Sequence, residues 1–381
     1  MADQAGSPNR PGRLLAIDGG GLAGLIPAEA LIQIEEQLDQ ITGTPKLLCD
    51  RFDLIGGTST GAILAAGLAL GLKASDLRDF YLKFGNDIFT KSFLPLRLWH
   101  KYPSGPLEEH LKEVFKEATL GGSELRTKVL IVTKNATLGN DWFFTNNPNN
   151  KFFKINSGLP LWQVVRASTA APTYFPPQTI KVPDSSGKKH SYEFIDGGVS
   201  SYNNPALRVF LDATAPATEG GLGWPMGANE LLLISLGTGY SSVTVEPGKA
   251  SGYTLLGWAQ YMIKELMNEA NLQQNVLMHI IGQRPAAVGS ATAELVSTGA
   301  AAFLPGEKAL DRMSSGTQKL VTYQRVTVGL TRQRLDQLGL HDVDPLKVRE
   351  MDAADQIPNM QRLGAAVAKE QVKMEALKSF F

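Results

Sequence analysis

Phe52-Asp53-Leu54-Ile55-Gly56-Gly57-Thr58-Ser59-Thr60-Gly61 is the stretch that decides the fold. An apolar run ends in a glycine pair, a serine follows between two threonines, and the chain beyond Gly61 is rich in alanine and leucine. That order reads as strand, sharp turn and helix, with G-x-S-x-G at Gly57 to Gly61. The flanking glycines let the backbone turn tightly enough to lift a serine hydroxyl out at the end of a sheet. The helix that starts there aims its unpaired N–H groups and the positive end of its dipole at charge forming near that oxygen. Ser59 is therefore the candidate nucleophile of an acyl-transferring hydrolase. A pentapeptide this short recurs by chance, so the rest of the chain has to support it.

Working outward, Leu14-Leu15-Ala16-Ile17 predicts a buried strand ahead of the loop Asp18-Gly19-Gly20-Gly21-Leu22-Ala23-Gly24. Helical periodicity is expected over 25–41, 59–70, 75–89, 106–118, 161–170, 204–213, 255–281 and 360–380. Strands are expected over 52–55, 128–135, 142–144, 193–195, 231–236 and 321–330. Strands alternating with helices predict an α/β fold with a mainly parallel sheet and helices on both faces. No internal repeat is visible. The expected organisation is a flexible tail over 1–12 and one domain over 13–381. Its motif-bearing core spans 13–211, and 212–381 completes it as a cap or regulatory region. The Gly-, Ala-, Pro- and Thr-rich stretches 213–227 and 282–306 read as surface loops.

Composition narrows the function. A chain of 381 residues, 43% hydrophobic, can bury a large core. Its 37 basic and 37 acidic residues balance, so no charge excess points to a nucleic acid polymer as partner. Docking at a membrane would be apolar rather than polybasic. The lone Cys49 has no disulfide partner in the chain and reads as a small core residue. The polar first dozen residues do not form a signal peptide, and no apolar run approaches a membrane span. The expectation is a soluble cytoplasmic protein.

Three sets of residues compete for chemistry beside Ser59. Gly19, Gly21 and Gly24 spell G-x-G-x-x-G, but a dinucleotide site needs a carboxylate at the end of the next strand. That strand ends Leu54-Ile55-Gly56-Gly57, and no Walker lysine follows. The other reading is an oxyanion hole of consecutive glycine N–H groups at a helix start, against a plain tight turn. None of His100, His110, His190, His279 and His341 has metal-ligand spacing, so no metal is expected. His279 or His341 could follow the acid of a triad, though neither has flanking turn signals. Asp196 sits between Glu193-Phe194-Ile195 and Gly197-Gly198, which places its carboxylate at the sheet edge where Ser59 emerges. Partial burial would raise its pKa from about 3.9 and make it a usable base.

Asp18-Gly-Gly-Gly-Leu-Ala-Gly24, Gly57-Thr-Ser-Thr-Gly61 and Asp196-Gly-Gly198, in that order, resemble the three motifs of the patatin-like phospholipase family, bacterial members included. Ala167-Ser168-Thr169-Ala170-Ala171-Pro172-Thr173-Tyr174-Phe175-Pro176 is similar to the family's proline-bearing segment between serine and aspartate. The likeness runs from about Arg13 to Leu211. It implies a three-layer α/β/α sandwich, a Ser59–Asp196 dyad without histidine, and an oxyanion hole from Gly19, Gly20 and Gly21. It also implies supporting roles for Asp18, Gly24, Gly57, Gly61, Gly197 and Gly198, and no cofactor.

The implied activity is that of a serine lipid acyl hydrolase of phospholipase A or lysophospholipase type, meeting its lipid at a membrane or micelle surface. Compact members that are antiphage effectors, switched on by a cyclic-nucleotide activator and degrading membranes, share this pattern. A non-catalytic storage or binding protein is the alternative from another class. One position departs from the family: Ala23 stands where a basic residue is usual, and Arg13, Arg51 or Arg166 are candidates to compensate. Ser92-Phe93-Leu94-Pro95-Leu96-Arg97-Leu98-Trp99 is a candidate interfacial loop. The helix around Trp258, Tyr261, Met262, Leu266 and Met267 is a candidate cap or an outer-layer helix.

Overall fold

Strand β1 (Gly12–Ile17) is buried along its whole length because a sheet neighbour lies on each side and helices lie on each face. A computed structural model describes residues 10–89, 100–183, 187–241, 245, 247–285, 313 and 315–381. The expected interfacial loop Ser92–Trp99 lies outside those residues. β1 pairs in parallel with β2 (Leu54–Thr58) and with β7 (Leu231–Leu236), and β7 pairs in parallel with β9 (Val321–Val326). A two-residue β8 (Gly282–Gln283) closes that edge. On the other side β2 is parallel to β3 (Lys128–Asn135). The sheet then turns antiparallel through β4 (Asn140–Thr145), β5 (Gln178–Pro183) and β6 (Lys189–Asp196).

Alternation along β1 splits the core in two. Leu15 and Ile17 point into one apolar cluster, Leu14 and Ala16 into another. The first cluster packs under α1 (Leu25–Thr42), α2 (Thr60–Ala69), α3 (Ala74–Ile88) and α4 (Gly105–Phe115). The single-turn α5 (Phe153–Asn156), α6 (Leu161–Ser168) and the closing helix Ile357–Gln371 lie on that side too. The second is covered by α7 (Ala206–Thr214) and the end of α8 (Leu255–Ile281). Helix, sheet and helix make three layers, and the strands beyond residue 211 complete the same sheet as those before it. No helix among the described residues is long and apolar enough to cross a membrane.

Two elements differ from expectation. The chain over 178–196 forms a full hairpin, β5 and β6, instead of one short strand at 193–195. Its outward positions are Thr, Lys, Ser and Glu, so no apolar run marked it. The closing segment is not one helix over 360–380. It is an α-helix to Gln371 and a separate 3₁₀ stretch Met374–Phe380. The break is built in by side chains that replace helix bonds: Gln37 donates to the Val372 carbonyl and accepts from the Met374 N–H, and Gln324 donates to the Gln371 carbonyl. Those glutamines are distant in sequence, so periodicity alone runs through the gap.

Strand pairing brings the two motif residues together. β4 occupies one edge of β3 from Leu130 to Asn135. β2 uses the other edge up to Thr58 opposite Val132, and β6 takes over there with Asp196 opposite Thr133. The ends of β2 and β6 therefore abut on one edge of one strand. The next residue after β2 is Ser59, and the last residue of β6 is Asp196.

Candidate active site

Ser59 holds φ 54°, ψ −121°, a conformation L-residues rarely adopt, and the fold forces it there. A side chain on Gly57 would fall 2.0 Å from the Gly61 carbonyl oxygen, and one on Gly61 would fall 2.1 Å from the Ile17 carbonyl oxygen. Only glycine fits where strand, turn and helix approach so closely. Helix α2 is buried on every side, which fixes the elbow within the core. The Ser59 N–H donates to the Ser168 Oγ at 2.8 Å, and that hydroxyl donates to the Val132 carbonyl at 2.6 Å. Ser168 thereby bridges the gap in the ladder where β2 stops and β6 begins.

The Ser59 hydroxyl donates to Asp196 Oδ2 at 2.6 Å, and Oδ1 accepts the Gly198 N–H at 2.7 Å. Asp196 is 3% exposed. Burial pushes its pKa up to about 6, against the opposing pull of the Ser59 and Gly198 hydrogen bonds and the buried Arg166 cation.

The glycine loop lies against this pair: a side chain on Gly19 would fall 3.1 Å from the Ser59 Cβ. Asp18 anchors the loop through a buried ion pair with Arg325, at 2.8 Å and 2.5 Å. The Gly19 N–H donates to the Asn203 carbonyl, and the Gly19 carbonyl accepts from the Thr238 hydroxyl. Gly19 is thus already bonded through its N–H. The N–H groups of Gly20 and Gly21 have no hydrogen-bond partner among the described residues.

An apolar cavity opens over Ser59 and Asp196, lined by Leu22, Ile63, Phe80, Phe89, Leu107, Phe175, Ile263 and Met267 among others. Helix α8 contributes Ile263 and Met267 to it, while Met262 and Leu266 on the same helix are 56% and 63% exposed. No histidine lines the cavity among the described residues. His279 packs edge-on to Tyr323 in the core, and His341 bonds Asp336 at the surface. No group of three or more His, Cys, Asp or Glu among the described residues is placed to hold a metal. Of the arginines considered opposite Ala23, Arg13 is bound to Asp53 and Arg51 to Asp39 and the Thr44 carbonyl. Arg166 sits beside Glu108 and the Pro176 carbonyl. None lines the wall that Ala23 forms.

Sequence reading missed the tethers Ser168, Arg325, Asn203 and Thr238. Ser168 was visible inside a motif-like segment, but nothing in its neighbours distinguishes a bridging hydroxyl from an ordinary helical serine.

Fold and site together define an α/β protein with a strained elbow serine bonded to a buried aspartate. The chain belongs to the patatin-like phospholipase family, whose family model matches residues 15–210. It is 32% identical over 271 residues to patatin-like protein 2 of Arabidopsis thaliana, covering 64% of each chain. It is 31% identical over 268 residues to patatin-T5 of Solanum tuberosum, covering 66% of each. The match thus spans just under two thirds of these relatives' length. Among solved structures, VipD from Legionella pneumophila aligns over 93% of this chain and 67% of its own, at 13% identity and a TM-score of 0.36. A likeness that loose bears on neither fold nor activity.

Proposed function

We propose that the protein is a serine lipid acyl hydrolase in which Ser59 and Asp196 form a catalytic dyad. The observation that supports this best is the 2.6 Å hydrogen bond from a strained serine to a buried aspartate at the floor of an apolar cavity. Ser59 Oγ attacks the ester carbonyl as its proton passes to Asp196. The N–H groups of Gly20 and Gly21 receive the oxyanion, and the start of α2 adds the positive end of its dipole. The C–O bond to the alcohol breaks, and Asp196 returns the proton to the departing oxygen. Asp196 then takes a proton from water, whose oxygen attacks the acyl-enzyme; the ester bond to Ser59 breaks, the fatty acid leaves, and Asp196 returns the proton to Ser59 Oγ. The apolar cavity suits an acyl chain.

Product analysis by mass spectrometry after incubation with a mixed lipid extract tests this. Free fatty acid and deacylated lipid should appear with the intact protein and be absent with Ser59→Ala, and a fluorophosphonate should label Ser59. His279→Ala and His341→Ala should stay within about threefold of the intact rate, since only removal of a member of the catalytic unit costs orders of magnitude. Failure to label Ser59 in folded protein would favour a binding or storage role. A strongly impaired histidine variant would replace the dyad with a triad.

The same roles set a pH dependence. Asp196 must be ionised to accept the proton, and its pKa is raised to about 6. Activity should therefore fall as pH drops through about 6, losing about tenfold per unit below it. A profile of kcat/KM against pH on a neutral ester measures this. A plateau persisting to the ordinary carboxylate range would remove Asp196 from the role of base.

A further inference from the structure

Beside the glycine loop lies a second cavity, and its lining is polar. Gly19, Gly20 and Ala23 form one wall; Lys264, Asn268 and Asn271 of α8 form another, at a spacing that puts them on one face of the helix. Arg349 completes it, and Met267 and Met351 line both this cavity and the apolar one over Ser59. The two spaces are therefore neighbours, with the glycine loop bordering each.

The charge here is unbalanced. Lys264 Nζ lies 2.6 Å and Arg349 Nε 3.5 Å from the one carboxylate of Glu350. Two cations share one anion, with side chains only 23% and 25% exposed. Arg349 Nε is buried with no hydrogen-bond partner among the described residues, and so is the Oδ1 of Asn203, a residue 1% exposed on the same wall. A buried acceptor without a partner, and a buried donor held only by a 3.5 Å ion contact, are costly unless something else fills the space. Ala23 offers only a methyl group, so the positive charge of this cavity comes from α8 and from Arg349.

We propose that this cavity receives the phosphate of a glycerophospholipid, with Lys264 and Arg349 as its clamp; this rests on the reading of Ser59 as nucleophile. The acyl chain fills the apolar cavity, the ester lies at Ser59, and the phosphate sits on the other side of Met267 and Met351. Lys264 supplies a compact charge and Arg349 a planar set of donors suited to two phosphate oxygens. Asn203 Oδ1 accepts a glycerol hydroxyl. Glu350 holds both cations until the phosphate displaces it.

The probe is sn-glycerol 3-phosphate, titrated by calorimetry into the Ser59→Ala protein and used as an inhibitor of monoacylglycerol hydrolysis by the intact protein. Competitive inhibition is expected. Lys264→Met and Arg349→Met should each weaken binding about tenfold, the loss of one charge-assisted contact. The preference for lysophospholipid over monoacylglycerol in kcat/KM should fall by a similar factor. Glu350→Gln should tighten binding, a gain that misfolding cannot produce. Binding unchanged in all three variants would overturn the clamp. Non-competitive inhibition, or activation, would make the site one for a free phosphate effector and overturn the headgroup assignment. If the intact protein hydrolyses no ester and yet binds the probe through Lys264 and Arg349, the phosphate site stands and the reading of Ser59 falls.

Discussion

Asp196→Asn is expected to lose at least a thousandfold in kcat/KM and, at pH 8, to unfold at a higher temperature than the parent protein. The loss follows from the base: an amide cannot take the Ser59 proton, and removing one member of a catalytic unit costs nearly as much as removing all of it. The gain follows from burial. Asp196 is 3% exposed, and its pKa is raised from 3.8 to about 6. The folded protein therefore holds a proton there at pH values where the unfolded chain has released it. Stability from this group is fully present below about pH 4 and is lost as pH rises through about 6. At pH 8 the ionised carboxylate costs about 3 kcal/mol by that shift. Asparagine keeps the shape and an acceptor for the Gly198 N–H without the charge. The midpoint difference should be a few degrees at pH 8 and vanish near pH 4. Differential scanning fluorimetry across that range, with a parallel assay, decides it. A lower midpoint at pH 8, or surviving hydrolysis, would contradict the assignment of Asp196 as a buried catalytic base. The expected trade of stability for activity is the usual mark of a strained functional site.

The sequence made the crowded positions legible and left the tethering ones hidden. Gly57 and Gly61 stand out because no side chain fits where that turn closes around Ser59, and the strand before and helix after them are strongly patterned. The glycines after Asp196 point to a turn at the end of a strand, which is as far as the local sequence carries its position. What brings it to Ser59, however, is the sharing of one edge of β3 by a parallel and an antiparallel strand. Pairing direction leaves no local trace in a hairpin whose outward side is Lys, Ser and Glu. The ion pair of Asp18 with Arg325 joins residues 307 apart, and the bond from Ser59 to Ser168 joins residues 109 apart. Each tether uses a residue type that is common on any surface. Lys264 and Arg349 were hidden for the same reason: as isolated cations they mean nothing, and only the placement of α8 against the glycine loop sets them in one cavity.

Ser59→Gly should be as inactive as Ser59→Ala, below the intact rate by at least a thousandfold, and more stable than it by about 1 kcal/mol. Both variants remove the nucleophile and the hydroxyl that donates to Asp196, so those losses cancel in the comparison. What differs is the backbone. At φ 54°, ψ −121° an alanine keeps its Cβ in a disfavoured conformation costing about 1–3 kcal/mol, which glycine does not pay. Glycine gives back roughly 0.5–1 kcal/mol through the freer unfolded chain, so the net remains in its favour. Elsewhere in a folded protein the same exchange of alanine for glycine destabilises, so the sign of the difference reports the strain at this residue alone. Urea unfolding of the two variants side by side measures it. A glycine variant less stable than the alanine one would mean that Ser59 sits in a relaxed turn, and the hydroxyl would then lack the enforced orientation toward the cavity on which nucleophilic attack depends.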